Sequence, residues 1–178
     1  MNDYESKKPE NIADQGSRIL ADGTHDVLDL CQKIKFVSAE LHHYFAELFK
    51  DDRSSLLFWK RTAMEEENNA KEFALIAKLR RQNIVHSLRI DPVEAEVIYI
   101  FLQTLIERMK EQPPNPEEAL RTAVKVEEKI TPFHLNNMVQ FSDNSFRKLF
   151  SAAILADQER VETFRRAIDR LSDVGQPS

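Results

Sequence analysis

The stretch Met64-Glu65-Glu66-Glu67-Asn68-Asn69-Ala70-Lys71-Glu72-Phe73 returns in altered form as Leu155-Ala156-Asp157-Gln158-Glu159-Arg160-Val161-Glu162-Thr163-Phe164. Laid over one another, the two stretches match Glu66 to Asp157, Asn69 to Arg160 and Phe73 to Phe164, and upstream they pair Trp59 with Phe150. This is a faint internal repeat. An acid and the residue three positions after it share one helix face. Each copy therefore predicts a helix that presents an acid and its i+3 neighbour together.

Working outward, the chain has 178 residues with 42% apolar content, enough for one domain with a single core and no need of disulfides or a structural metal. The lone Cys31 cannot make an internal disulfide and matches no metal-binding spacing, so it reads as a buried structural thiol in a reducing, cytoplasmic compartment. Net charge is −5 and the basic residues are mixed among acids, so no basic stripe offers itself to phosphates and nucleic acid is not an expected partner. The longest apolar run, Val97 to Leu102, is far below the roughly 20 residues a membrane span requires. The polar N-terminus lacks a signal-peptide core, so a soluble, unexported protein is expected.

Three glycines, few turn dipeptides and no alternating pattern argue against sheets and for an all-α chain. Residues 1–24 read as a flexible N-terminal arm, 25–173 as a helical bundle and 174–178 as a tail. The first helix is expected from near His25 to Phe49, with Leu30, Ile34, Val37, Leu41, Tyr44 and Leu48 at helical spacing. Ser54 is placed to cap a second helix ending near Gln82, and so short a connection implies an antiparallel pair. Asp91-Pro92 and Asn115-Pro116 each put a cap before a proline at the first helical position, starting a third and a fourth helix. The fourth carries Leu120, Ala123, Glu127, Ile130 and Phe141, bent at Pro132; the last carries Phe146, Phe150, Phe164, Ile168 and Leu171. Residues 83–115 form a crossover long enough to travel the whole bundle, so two short-looped hairpins are returned in opposite senses. That is a ferritin-like layout.

Four acids fall on these apolar faces: Glu40, Glu66, Glu127 and Asp157. Isolated carboxylates are expensive to bury and would repel one another, so something positive is expected among them. Should the register be off by one, Glu65 and Glu128 are the substitutes.

The segments Ser38-Ala39-Glu40-Leu41-His42-His43-Tyr44, Phe58-Trp59, Ala63 to Ala70, Glu118 to Glu127 and Ile154 to Arg160 together resemble the rubrerythrin-like branch of the ferritin-like superfamily. Order and spacing carry the resemblance, because each motif alone is weak. It implies a four-helix bundle of two antiparallel hairpins with an additional helix in the crossover. It also implies a di-metal site for iron or manganese, built from a glutamate on each of two helices and an acid-x-x-histidine pair on each of the others. By resemblance Glu40, Glu66, Glu127 and Asp157 correspond to the carboxylate ligands, while Asn69 and Arg160 stand at the histidine positions. Asparagine is a poor transition-metal ligand and guanidinium is none, so the site is degenerate. No rubredoxin-type cysteine pairs are present.

Two arrangements supply the missing cation. Either Arg160 is itself the counter-ion in a metal-free polar core, with Asn69 donating to an acid, or the four carboxylates hold a metal with help from His43 or His134. His25, His42 and His86 lie near termini or off the apolar stripe and are given no role.

Two functions are weighed. One is a non-enzymatic relative with no cofactor, acting through its surface in an interaction or structural role. The other is a di-iron oxidoreductase of peroxidase or ferroxidase type, or an iron-handling protein, which loss of both histidines makes hard to support. In the crossover, Ile98, Phe101, Leu102, Leu105, Ile106 and Met109 make one stripe to cover the bundle. Val93, Val97 and Ile100 make another, expected to meet a second subunit in a homodimer or the N-terminal arm.

Overall fold

A computed structural model describes the backbone of residues 12–141 and 144–174, and the side-chain surroundings of residues 27–134, 137–141, 144–148, 150, 155 and 159–170. The chain is predominantly helical. Helix α1 (Ile12–Leu48) starts inside the segment whose composition suggests an arm; once a helix is nucleated, each further residue adds a hydrogen bond at small cost. A four-residue turn leads into α2 (Arg53–Arg81). Its cap is Asp52 rather than Ser54: the carboxylate accepts from the backbone N–H of Ser54 at 3.3 Å and of Ser55 at 2.9 Å. Asp52 holds extended backbone angles and stands immediately before the first helical residue, which is the capping position.

Lys78, Arg80 and Arg81 complement the negative end of α2. Asn83 then adopts a left-handed φ of 60°, tolerated by asparagine, and turns the chain into a short strand β1 (Val85–Leu88). Asp91 and Asn115 cap α3 (Pro92–Glu111) and α4 (Pro116–Ile130), each with proline at the start, and Asn115 closes a reciprocal capping box with Glu118 at 2.9 Å both ways.

The fourth helix does not continue to Phe141. Pro132 lacks an N–H and its ring clashes with the preceding turn, so α4 gives way to a tight 3-10 turn, Thr131–Phe133. Short α5 (Leu135–Met138), strand β2 (Val139–Phe141) and α6 (Asn144–Leu149) follow before α7 (Ser151–Val174). The expectation of no sheet is corrected here. β2 pairs antiparallel with β1 through Val85 with Phe141, Ser87 with Gln140 and Leu88 with Val139, with an irregularity between Val85 and Ser87. Strands of four and three residues are too short to show a period of two, and their partners are far apart in sequence.

Helices α1 and α2 run antiparallel, with Phe45 and Trp59 rings 4.9 Å apart near one end and Lys35 and Glu66 3.3 Å apart farther along. α3 returns beside α1, where Tyr44 Oη donates to the Met109 carbonyl at 2.8 Å, and α4 packs along α7. Ile34, Leu41, Phe45, Trp59, Phe73, Ile76, Leu102, Val126 and Phe164 are buried in one core. Each such side chain contributes about 1.5–3 kcal/mol when fully removed from water. Among the described residues, no helix is long and apolar enough to cross a membrane.

Candidate functional site

Among the described residues, four helices turn a charged side chain into this core. Glu66 on α2 and Glu127 on α4 are fully buried, Lys35 on α1 is 1% exposed and Arg160 on α7 is 4% exposed. Small neighbours leave them room: Ala63 and Ala70 flank Glu66, and Ala123 stands one turn before Glu127.

Arg160 Nη1 donates to Glu66 Oε1 in a short contact and to Glu127 Oε1 at 3.2 Å. Lys35 Nζ lies 3.3 Å from Glu66 Oε2, and His134 Nε2 lies 3.1 Å from Glu127 Oε1. Among the described side chains the centre thus sets two cations, Lys35 and Arg160, against two buried carboxylates, Glu66 and Glu127. Each ion taken alone out of water would cost several kcal/mol, and reciprocal pairing is what makes their burial tolerable. Burial pulls the Arg160 pKa down to about 10, opposed by the nearby charge of Glu65, so the guanidinium remains protonated at neutral pH.

His134 reaches the centre because the 3-10 turn after α4 folds it back; its N–H donates to the Thr131 carbonyl at 3.1 Å, and the side chain is 5% exposed. Asn69, one turn after Glu66, is also buried. Asp157 stands three residues before Arg160 on α7, but its side chain lies outside the described residues.

Glu40 does not join this centre. Its side chain is 58% exposed and pairs with Lys110 at 3.4 Å. Helix α1 packs against both α2 and α3, so its apolar stripe is broad. Glu40 sits at the outer margin of that stripe, and the middle belongs to Lys35, Ser38, His42 and Phe45. His43 is likewise on the outside, with Nε2 2.8 Å from Glu67 Oε1 in an exposed pair, and is no helper to the centre.

Sequence reasoning missed Lys35 and His42. The spacing Cys31, Lys35, Ser38, His42, Phe45 is a helical stripe in its own right, but lysine is so seldom buried that it reads as solvated. His42 is fully buried and stacks on Trp59 with ring centroids 5.6 Å apart and planes 15° apart. Neither of its ring nitrogens has a hydrogen-bond partner among the described residues. Burial foremost, then the charges of Arg160, His43 and Lys35, lowers its pKa to about 3, so the ring is neutral. Burial also pushes the Cys31 thiol up to about 12, against a smaller opposing effect of Lys35, leaving it protonated and inert.

No family model, curated protein or solved structure matches this chain. The chemistry therefore rests on the residues themselves. Among the described residues, no group of three or more His, Cys, Asp or Glu is arranged to hold a metal ion. The acids that converge, Glu66 and Glu127, already have a guanidinium between them and an ammonium beside them. On the outer side a cleft of about 220 Å³ between α2 and α7 reaches Arg160 past Thr62, Glu65 and Thr163. Arg61 Nε holds Glu65 at its rim at 2.9 Å, and Glu65 stands 4.0 Å from Arg160 Nε.

Proposed function

We propose that this protein is a non-enzymatic relative of the rubrerythrin-like branch of the ferritin-like superfamily. In this reading α1 with α2 and α4 with α7 are the two hairpins of a four-helix bundle and α3 is the crossover. An ionic core stands where a di-metal centre would be. The observation that carries the reading is Arg160 Nη1 in contact with both buried carboxylates, Glu66 and Glu127. A pair of divalent metals does not fit the described residues. Lys35 occupies the inward place on α1 where a carboxylate is needed, and two more cations beside Lys35 and Arg160 would meet strong repulsion. The layout is supported by the antiparallel run of α1 and α2 and by the return of α3 beside α1.

Without a reacting centre, the work of the molecule falls to its surface, as a cytoplasmic homodimer in a structural or interaction role. The outer stripe of α3 supports that assignment, since Val93, Val97 and Ile100 are 69%, 59% and 54% exposed. The test is elemental analysis of protein purified with iron and manganese available. Substoichiometric metal is expected; about two metals per chain would overturn the ionic-core reading in favour of the iron- or manganese-dependent alternative.

A further inference from the structure

A second cleft, of about 360 Å³, opens where the start of α2, the start of α4 and the last turns of α7 meet. Its floor is apolar, made by Phe58 and Trp59 from α2, Leu120 from α4 and Ala167 from α7. Arg166 and Arg170 stand on its rim. Four residues apart on one helix, these two guanidiniums face the same way and repel each other. Glu162, on the outward side of Arg166, pairs with it loosely, at 3.8 Å from Nε and beyond hydrogen-bond distance.

Asp52 also lines the cleft, but its oxygens are committed to the cap of α2, accepting from the N–H groups of Ser54 and Ser55 and from Ser55 Oγ at 2.6 Å. The Ser55 hydroxyl foremost, with these amides, holds its carboxyl below the usual range and keeps it ionised. Of the charged residues that line the cleft, Arg166 and Arg170 against Asp52 leave one positive charge, which matches a monoanion better than a phosphate dianion. The volume lies near the low end of the roughly 300–1,000 Å³ typical of small-molecule sites, so the occupant is compact.

We propose that this cleft binds a small amphiphilic carboxylate, its apolar body on Phe58 and Trp59 and its carboxylate between Arg166 and Arg170. The chain has a single tryptophan, and it lies in the floor, so Trp59 emission reports occupancy directly. The experiment titrates the full chain with octanoate, octylammonium and 1-octanol. A saturable change in Trp59 emission is expected with octanoate, none with octylammonium and only a weak one with octanol.

Arg166→Ala with Arg170→Ala, both at exposed positions, should weaken octanoate by about tenfold or more with an unchanged far-ultraviolet circular dichroism spectrum. Ala167→Phe, which fills the floor, should abolish the response. No saturable response to octanoate, equal responses to all three probes, or undiminished affinity in the double-arginine variant each overturns the proposal. None of these outcomes bears on the metal content of the buried centre, so the two readings fail separately.

Discussion

Arg160 joins two buried carboxylates with one nitrogen, so its removal leaves Glu66 and Glu127 facing each other without that cation. Arg160→Ala should therefore cost about 3–5 kcal/mol, read from the urea midpoint, because breaking a buried pair strands a charge. A loss under about 1 kcal/mol, the range of exposed pairs, would mean the centre is not the dry ionic cluster described. His42 gives a pH signature of opposite origin. Its pKa falls from an ordinary 6.5 to about 3 on burial, so between those values the unfolded chain binds a proton that the native state refuses. The stabilisation is full above pH 6.5 and declines as pH falls, by about 2 kcal/mol between pH 7 and pH 5. His42→Phe keeps a ring against Trp59 and has nothing to titrate, so its stability should drop less than that of the parent over the same interval. Equal pH slopes in the two proteins would show that His42 is not held neutral in the native state.

At the scale of elements, α1 and α3 show how far an apolar stripe can be trusted. Among the described residues, one side of α3 packs on the molecule and the other does not. Ile98, Leu102 and Ile106 are buried, Phe101, Leu105 and Met109 are partly buried, and Val93, Val97 and Ile100 remain outside. If that outer stripe is the dimer contact, Val97→Glu with Ile100→Lys should shift the sedimentation coefficient to that of a monomer while leaving the monomer's own stability within about 0.5 kcal/mol. Unchanged sedimentation of a dimeric parent would move the contact elsewhere, and a parent that is monomeric at high concentration ends the idea. On α1 the stripe misleads, because α2 and α3 cover it from two sides and its midline passes through Lys35 and His42 rather than Glu40.

For the molecule as a whole, the proposed ferritin-like reading makes Lys35 decisive for any metal centre engineered into the core. Asn69→His with Arg160→His restores two acid-x-x-histidine pairs but leaves an ammonium 3.3 Å from Glu66. The double variant is expected to stay metal-free. Adding Lys35→Glu supplies the carboxylate that α1 lacks, and this triple variant should take up about two irons or manganese and melt several degrees higher with metal, an effect reversed by chelation. Should the double variant load metal as well as the triple, Lys35 is not the residue that closes the site. A triple variant that folds and still refuses metal would argue against the ferritin-like reading itself.

Cap-proline pairs at Asp91-Pro92 and Asn115-Pro116, the scarcity of glycine and the 3.6-residue periodicity were enough to determine a helical chain and the starts of α3 and α4. These are local signals, carried by the first turn of each helix. That Arg160 could serve as counter-ion to buried acids was legible as one of two arrangements, because it interrupts a repeated pattern on an apolar face, but which acids it meets was not. Tertiary structure alone decided that Lys35 displaces Glu40, that His42 is a neutral core ring, and that β1 finds β2. The sequence sets which residues share a helix face. How many neighbours cover that face, and so where its centre falls, is settled only when the helices pack.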